Sequence, residues 1–579
     1  MKKFLLAAMA AALPALASAS TEWTLTKVNW PYQVDTTYHA TVGPGTTFTK
    51  LTLTSTPRPS DGKTNTETPL MKLFYLTVDL SNPEVMIKSY LANDERGVRM
   101  TVPDIVDFYQ TDDVNILAAV NSDFFNMSVP YLTNGAAVTD GAKMASMNTS
   151  PWCHLMLDAE KIVSWLTKDI NFSHKLKFAD AEAPVKLVDN HGEWAPTRGS
   201  NEFVLNYWGY EEPKKQNQWG CEIYIEPVGD RPFMVGDQEW EIVSSPSAAN
   251  TAASVLPVEK GQYVLSGNGP AANRIQAMKP GDKFTLTTTA TYGGQPVKPD
   301  QLSGGRQMIL TDGAQIDVSS SNSPRTLVGA SEDGATLVLM AIDGRGAGGS
   351  SGAYYRLCAA IMQAVGCHDA MEFDGGGSTT IVVEPLGGVQ NIPSEDGVLR
   401  AVAEAMCVAT KAVVDWNVTK IEVVEKNIAI ASGASFTPTV FGFNPQGILI
   451  DKDVKDYTLE CASSPAAISS DGKTFKPTID GMYALKVNYG QLSTTVPVKV
   501  GSQSGVTEVV ADAALSMSPN PVAKGSTVNL GADYGTIRIF STNGAEVGTA
   551  SGSSFEAPQS TGIYLVVAGD QGAGRLVVR

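Results

Sequence analysis

The feature that most constrains this chain is a pair of loops that each begin with Asp and continue in Gly. The first follows Leu337-Val-Leu-Met-Ala-Ile and reads Asp343-Gly-Arg345-Gly-Ala-Gly-Gly-Ser350-Ser351-Gly352. The second follows Met371-Glu372-Phe373 and reads Asp374-Gly375-Gly376-Gly377-Ser378-Thr379-Thr380. Leu337 to Ile342 is short, almost wholly apolar and bounded by glycine, which predicts a strand buried on both faces. From Ala353 to Val365 the residues Leu357, Cys358, Ile361, Met362 and Val365 recur at helical spacing. Ser350 or Ser351 is expected to cap that helix, and Gly366 to end it in a left-handed conformation. Ala370 to Phe373 is a second short strand, so the whole reads as a βαβ unit with a right-handed crossover. Both Asp residues then leave their strands at the carboxyl edge, where the helix N-terminus also opens. Adjacent strands would bring the two carboxylates to within about 5–10 Å. The glycines give a ligand access to backbone N–H groups, and the helix N-terminus favours an anion. Carboxylates beside an anion site suit acid/base work on a phosphate or sugar ester.

The motifs Asn322-Ser-Pro-Arg325-Thr-Leu-Val-Gly329, Asp343-Gly-Arg345, Ser350-Ser-Gly352 and Phe373-Asp374-Gly-Gly-Gly-Ser378-Thr resemble, in order and spacing, those of the phosphodiester glycosidase family. Ala119-Val-Asn121-Ser-Asp123-Phe-Phe125 is similar to that family's asparagine and double-phenylalanine motif, and Gly304-Gly305 with Leu310-Thr-Asp312-Gly313 to the segment ahead of its arginine motif. The resemblance spans residues 70–412, with Glu372 where relatives commonly carry an amide, and Tyr355 and Arg356 where they often carry an acid. It implies hydrolysis of a sugar-1-phosphodiester that frees the sugar and leaves a phosphomonoester. Asp343 or Asp374 would act as general base or nucleophile, and Arg325 would neutralise the phosphate with help from Arg345, Ser378 and loop N–H groups. Asn121, Asp123 and Glu372 would orient the sugar, and Ser351, Gly375, Gly376 and Thr379 would complete the substrate site. No particular cofactor is indicated, and the Asp and carbonyl oxygens leave room for a divalent cation.

The remaining chain sets the context. Met1-Lys2-Lys3, an Ala/Leu run and Ala17-Ser18-Ala19 predict a signal peptide over residues 1–19 and hence export. The net charge of −17 argues against nucleic acid as a partner, and no interior apolar run reaches the ~18–20 residues of a transmembrane helix. Six cysteines show neither metal spacing nor a compact disulfide framework. The expected class is α+β: an N-terminal β segment at 20–69, then a β-rich mixed-sheet catalytic domain at 70–412 containing the βαβ unit, followed by two small all-β sandwiches. Within the catalytic domain Thr101 should cap a short helix and Asn115 to Val120 form a buried strand, while 150–300 reads as short strands. Residues 415–500 resemble a bacterial Ig-like domain, and 515–579, after a Gly/Ser linker at 501–514, resemble the C-terminal sorting domain read by the type IX secretion machinery. Those resemblances imply the surface or surroundings of a Gram-negative cell, and a glycan or glycolipid phosphodiester as substrate.

Several features have plainer readings. Asp343-Gly-Arg-Gly-Ala-Gly-Gly is only superficially a dinucleotide loop, and no Gly-Lys-Ser/Thr follows for a P-loop. Trp152, Trp194, Tyr207, Trp208 and Trp219 could stack on a sugar, but large aromatics are more often core residues. Arg198 and Arg274 are candidate anion contacts with a solvated charge as the alternative. His368 reads as a helix exit rather than a metal ligand. A second class of function also fits, a surface carbohydrate-binding or adhesion protein that keeps the scaffold without turnover.

Overall fold

The structure, a computed structural model, describes residues 21–579 apart from 26–27, 29, 112, 129–130, 190–200, 208–218, 252–254, 319, 412–414, 426–427, 502–514, 516, 534, 542–545 and 569–571. The expected signal peptide, Trp194, Arg198, Trp208 and nearly all of the expected linker lie outside the described residues. Two compact units result, one running to Thr478 and including Met482–Lys499, the other made of Ile479–Gly481 and Val500–Arg579.

The elements that build the site are β1 (Leu70–Asp79), α1 (Val102–Tyr109), β2 (Asn115–Asn121), β3 (Arg325–Ala330), β4 (Thr336–Ile342), α2 (Tyr355–Ala364), β5 (Asp369–Phe373), β6 (Ile381–Val383) and β7 (Glu404–Thr410). Strands β1, β4, β3 and β5 are successive members of a nine-stranded sheet, and each pair of neighbours among them runs antiparallel. A five-stranded sheet holds β6, β2 and β7 in that order, flanked by Gly388–Val389 and Met86–Leu91.

Alternation along β4 explains how these layers stack. Val338, Met340 and Ile342 pack with α2 residues such as Leu357, Cys358 and Ile361, while Leu337, Leu339 and Ala341 pack with Val120, Ile381 and Met406 of the second sheet. A strand covered on both faces has no polar side to show, which is why its sequence is continuously apolar. The far side of the second sheet is covered by α1, through Ile105 and Val106 against Ile116, Ala119 and Cys407. The order is therefore helix, sheet, sheet, helix.

The β-rich α+β class is as expected, with one change in the βαβ unit. Strands β4 and β5 run in the same direction but are not neighbours, because β3 lies between them and pairs with both. An inserted antiparallel strand doubles the separation of the two Asp loops to about 9–10 Å at the strand ends, from about 4.8 Å for direct neighbours. It also places Arg325, the first residue of β3, between them.

Helix α1 starts where expected, with Thr101 Oγ1 accepting from Asp104 N at 3.3 Å. Helix α2 starts at Tyr355 rather than Ala353, and neither serine caps it. Ser350 Oγ donates to Asp343 O (2.6 Å), Ser351 Oγ donates to Leu70 O (2.7 Å), and Ser320 Oγ accepts from Tyr355 N (2.8 Å). The serines are used instead to fasten the first Asp loop to β1. Gly366 ends the helix at φ +98°, in the left-handed region as expected.

Residues 170–297 form an eight-stranded sheet around Trp240, Phe203, Ile223 and Leu286, with the parallel pair Glu182–Asp189 and Phe203–Tyr207 giving it mixed character. It also carries one short helix, Pro270–Gln276, among the strands. Residues 420–500, which apart from 479–481 and Val500 belong to the first unit, add a three-stranded and a four-stranded sheet, and Phe441, Phe443 and Leu449 pack against Ala40, Tyr38 and Leu386. The second unit has a two-stranded and a four-stranded sheet around Ile537, Val566 and Leu576. No helix among the described residues is long and apolar enough to cross a membrane.

Candidate functional site

The ends of β4, β5 and β2 and the start of β3 meet at one edge of the layered body. Register makes this explicit: Arg325 pairs with Ile342, the residue before Asp343, and Thr326 pairs with Phe373, the residue before Asp374. Pro324, just ahead of Arg325, wedges between the two glycine loops. Its carbonyl accepts from Gly376 N (2.9 Å), and a Cβ at Gly344 or Gly375 would come within 2.7 or 2.8 Å of Pro324 atoms. Those two positions have no room for a side chain.

Asn121, at the end of β2, ties the second sheet to the first. Its Oδ1 accepts from Thr326 Oγ1 (2.8 Å) and Thr380 N (3.0 Å), and its Nδ2 donates to Asp374 O (2.6 Å). The adjacent Ser122 carbonyl accepts from Asp374 N (2.7 Å). The side chain is fully buried, so Asn121 holds the Asp374 loop from beneath.

Asp343 is almost fully buried. Asn391 Nδ2 (3.2 Å) and Ile392 N (3.2 Å) donate to its carboxylate, and Asn391 Nδ2 also reaches Thr379 O (3.1 Å) in the second loop. One amide thus bridges the two Asp loops. Burial pushes Asp343 up to about 6 against those hydrogen bonds and the nearby Lys72 ammonium. Asp374 is held up at about 7, by burial first; the Ser378 hydroxyl, Arg400 and Gly375 N–H pull it down and Glu372 pushes it up.

Arg325 is buried with every branch of its guanidinium engaged: Nε to Ala353 O (2.9 Å), Nη1 to Glu372 Oε1 (2.5 Å) and Nη2 to Ser321 O (2.7 Å), with the ring of Tyr355 4.4 Å from its centre. Burial pushes Glu372 up even though Arg325 draws it down, and its Oε2 is buried without a hydrogen-bond partner. The pair is an internal strut between β3 and β5. A cavity of about 480 Å³ lies beyond it, lined by Glu67, Val318, Ser320, Ser321, Asn322, Tyr354 and Arg356, and no carboxyl of the two Asp loops lines it.

Asp123 is buried behind the site, with Oδ2 accepting from Gly135 N (2.6 Å) and Oδ1 from Trp152 Nε1 (2.9 Å). A Cβ at Gly304 would stand 2.5 Å from this carboxyl, which accounts for a glycine inside a buried strand. Glu404, the first residue of β7, is its acidic neighbour and accepts from Ser89 Oγ (2.6 Å) and Ser303 Oγ (3.0 Å). Burial pushes Glu404 up to about 7, and burial together with Glu404 pushes Asp123 up.

Ser378 and Thr379 are buried in the second loop, Ser351 and Gly376 are partly exposed, and Arg345 is exposed at φ +57°. A Cβ at Gly376 would meet Arg345 Nη2 at 3.0 Å, so this guanidinium lies against the second loop. Asp123, Asp343, Glu372 and Glu404 are buried, and Asp374 is the one of these five acids that is only partly so.

Sequence reasoning passed over Asn391, Arg400 and Glu404. Glu404 carried a usable signal, being a lone acid inside the apolar run Ala401-Val-Ala-Glu-Ala-Met-Cys-Val-Ala. Asn391 and Arg400 lie in an irregular stretch, where no periodicity marks them. Trp152 is a core residue bonded to Asp123, Arg274 forms a two-point pair with Asp180 (2.7 and 2.9 Å), and Trp219 is exposed. His368 leaves α2 and pairs with Asp369 (3.0 Å). Among the described residues, Asp312, His368 and Asp369 form the group whose donor atoms could hold a metal. It sits at the start of β5, about 16 Å of strand from Asp374.

A family model described as phosphodiester glycosidase matches residues 240–409, which include Arg325, Asp343, Asp374 and Arg400 and leave Asn121 and Asp123 outside. No curated protein matches the chain. Solved structures similar to it include a Burkholderia pseudomallei protein whose name marks it as exported (18% identity, 68% of this chain and 99% of that one, TM-score 0.42). A hypothetical protein from Synechocystis is similar at 15% identity over 63% and 62% of the two chains, TM-score 0.41. The zebrafish N-acetylglucosamine-1-phosphodiester alpha-N-acetylglucosaminidase catalytic domain, auto-inhibited by its pro-peptide, is similar at 12% identity over 65% and 87%, TM-score 0.31.

Proposed function

We propose that this protein is an exported phosphodiester glycosidase that hydrolyses a sugar-1-phosphodiester. The observation that carries the reading is Asp374: it lies within the span matched by the family model, at a strand end beside a glycine loop, in a residue that is only partly buried, and burial of its carboxyl holds its proton affinity near neutrality. A carboxyl of that kind can be ionised and reactive at neutral pH while staying poorly solvated, the condition under which a general base or nucleophile is effective.

Asp374 acts at the anomeric carbon, either taking the proton from an attacking water or attacking it to form a glycosyl ester that water then hydrolyses, freeing the sugar and the carboxylate. The anomeric C–O bond breaks and its electron pair goes to the bridging phosphate oxygen, leaving a phosphomonoester. Because that leaving group is already a stabilised anion, it needs little protonation, unlike the alcohol released by an ordinary two-carboxylate glycosidase. Arg345, exposed and lying against the second loop, offers positive charge at the loop surface. Asp343, linked to the same loop through Asn391, fixes its geometry and adds negative charge that favours an oxocarbenium-like sugar. Arg325 and Glu372 hold β3 and β5 in place, and Asn121 holds Asp374 from below.

The export part of the proposal rests on the signal-peptide pattern and on the resemblance of 515–579 to a sorting domain. The Ig-like reading of 415–500 rests on sequence pattern together with its two small sheets.

The test is a panel of sugar-1-phosphodiesters, with the matching phosphomonoesters and p-nitrophenyl glycosides as controls, each with and without chelator. Release of free sugar from diesters in preference to the controls is expected. Binding without turnover across the panel would instead identify a carbohydrate-binding protein.

A further inference from the structure

The stretch between Asn391 and Glu404 returns to the site a second time through Arg400. Its Nε donates to Glu395 Oε2 (3.3 Å), its Nη2 makes a close contact with Glu395 Oε1, and its Nη1 points toward Ser378 Oγ (3.5 Å). Ser378 in turn bonds Asp374, and Arg400 is one of the charges that draw Asp374 down. The pair is pressed against the glycine loop, for a Cβ at Gly377 would overlap Arg400 Nη2 and Glu395 Oε1. Arg400 is three-quarters buried and Glu395 is 41% exposed. The turn that presents Glu395 closes on itself, with Val398 N donating to Glu395 O (2.9 Å).

A guanidinium fork accepts one planar or tetrahedral anion across its two-point face at a time. Here that face is filled by a side chain from the same surface turn, one hydroxyl away from the reactive carboxyl. Arg325 faces inward instead, with Nε, Nη1 and Nη2 each bonded to an acceptor inside the fold. We infer that Arg400 receives the phosphodiester anion of the substrate and that Glu395 is a stand-in carboxylate which occupies Arg400 until that anion displaces it. This rests on the reading above for the identity of the anion. A partly exposed ion pair is weak enough for a phosphate to exchange with it, and its displacement lowers apparent affinity by about three- to ten-fold. Glu395 also sets specificity, because a neutral glycoside offers Arg400 nothing in exchange for the carboxylate it would have to displace.

The experiment measures equilibrium binding of inorganic phosphate and of one sugar-1-phosphodiester to the full chain by calorimetry, together with steady-state turnover. The variants are Glu395→Gln, Arg400→Ala, Arg400→Lys and the double variant Glu395→Gln/Arg400→Ala. Glu395→Gln should tighten phosphate binding three- to ten-fold and lower KM for the diester by a similar factor. Arg400→Ala should weaken phosphate binding ten-fold or more, and adding Glu395→Gln to it should change nothing further. Should Arg400→Ala fail to fold, Arg400→Lys serves, with a loss of two-point binding and a smaller response to Glu395→Gln. Unchanged phosphate affinity in Glu395→Gln overturns the inference, as does equal tightening with and without Arg400, which would reflect only the removal of a negative charge. Turnover of diesters with no response to Glu395 would leave the phosphodiester glycosidase reading standing and remove this one. Arg400-dependent tightening in a protein that turns over no diester would do the reverse.

Discussion

Replacing Asp374 by Asn should make the protein more stable and nearly inactive, and the stability gain should depend on pH. The folded protein holds the Asp374 proton up to about pH 7, whereas an unfolded chain releases it near 3.8. Between those values the native state binds more protons than the unfolded state, so this group's contribution falls as pH rises from about 4 to 7 and is constant above. At pH 8 the ionised carboxylate therefore costs the fold on the order of 4 kcal/mol as a ceiling. Water at this partly exposed side chain reduces that figure. Loss of the charge-assisted bonds from Ser378 and Gly375 N reduces it again, leaving a net gain of about 1–2 kcal/mol for the amide. In a unit this large each kcal/mol moves Tm by no more than about 2 °C. Scanning calorimetry of parent and Asp374→Asn at pH 4, 6 and 8 should show coincident Tm values at pH 4 and a variant higher by about 2–4 °C at pH 8. Turnover should fall by about 10²–10⁴ with diester binding retained. A variant less stable than the parent at pH 8, or a Tm difference that does not change with pH, would refute the burial argument. Unchanged turnover in a folded variant would refute the catalytic role.

In a pH profile, kcat/KM should rise to a plateau above about pH 7 as Asp374 ionises, and Arg400→Ala should move that limb to higher pH because Arg400 lowers the Asp374 proton affinity. Asn121→Ala strands Thr380 N, Asp374 O and Thr326 Oγ1 in the interior, so denaturant unfolding should show a loss of about 2–5 kcal/mol, at roughly 1–3 kcal/mol per stranded group with partial relief by water. Arg325→Lys can keep only part of a three-way set of bonds to Ala353 O, Glu372 and Ser321 O; it should lower Tm more than it raises KM, and a pure KM effect with unchanged Tm would show instead that Arg325 meets substrate. Removing 500–579 should leave turnover intact, since no site residue belongs to that unit. Ending the chain at 412 should instead lower solubility or Tm by uncovering Ala40, Tyr38 and Leu386, which Phe441, Phe443 and Leu449 cover; equal stability of the two truncated chains would show that this packing contributes little.

The local code was legible where one force dominated. Continuous burial wrote β4 and β2 into the sequence as apolar runs, the helical period wrote α2, and Asp-Gly sequences at the ends of two strands marked the site without any coordinates. The N-terminal start of α2 was misread because Ser350 and Ser351 bond Asp343 O and Leu70 O, partners far away along the chain, and a propensity for capping says nothing about competing acceptors. Several features belonged to tertiary structure alone. The insertion of β3 between β4 and β5 follows from which edges pair once both faces are covered, and no periodicity within a strand encodes its neighbour. That insertion turned Arg325 from an apparent ligand for substrate into an internal strut, since a guanidinium enclosed between two strands must spend its donors on their acceptors. The anion-reading role inferred for Arg400 falls to a residue that reaches Ser378 because the chain doubles back after β6. Sequence alone determined that two carboxylates would stand at strand ends beside glycine loops. Which of them is the more deeply buried, and which guanidinium is enclosed between strands, was decided by packing, a property of the layers rather than of any segment within them.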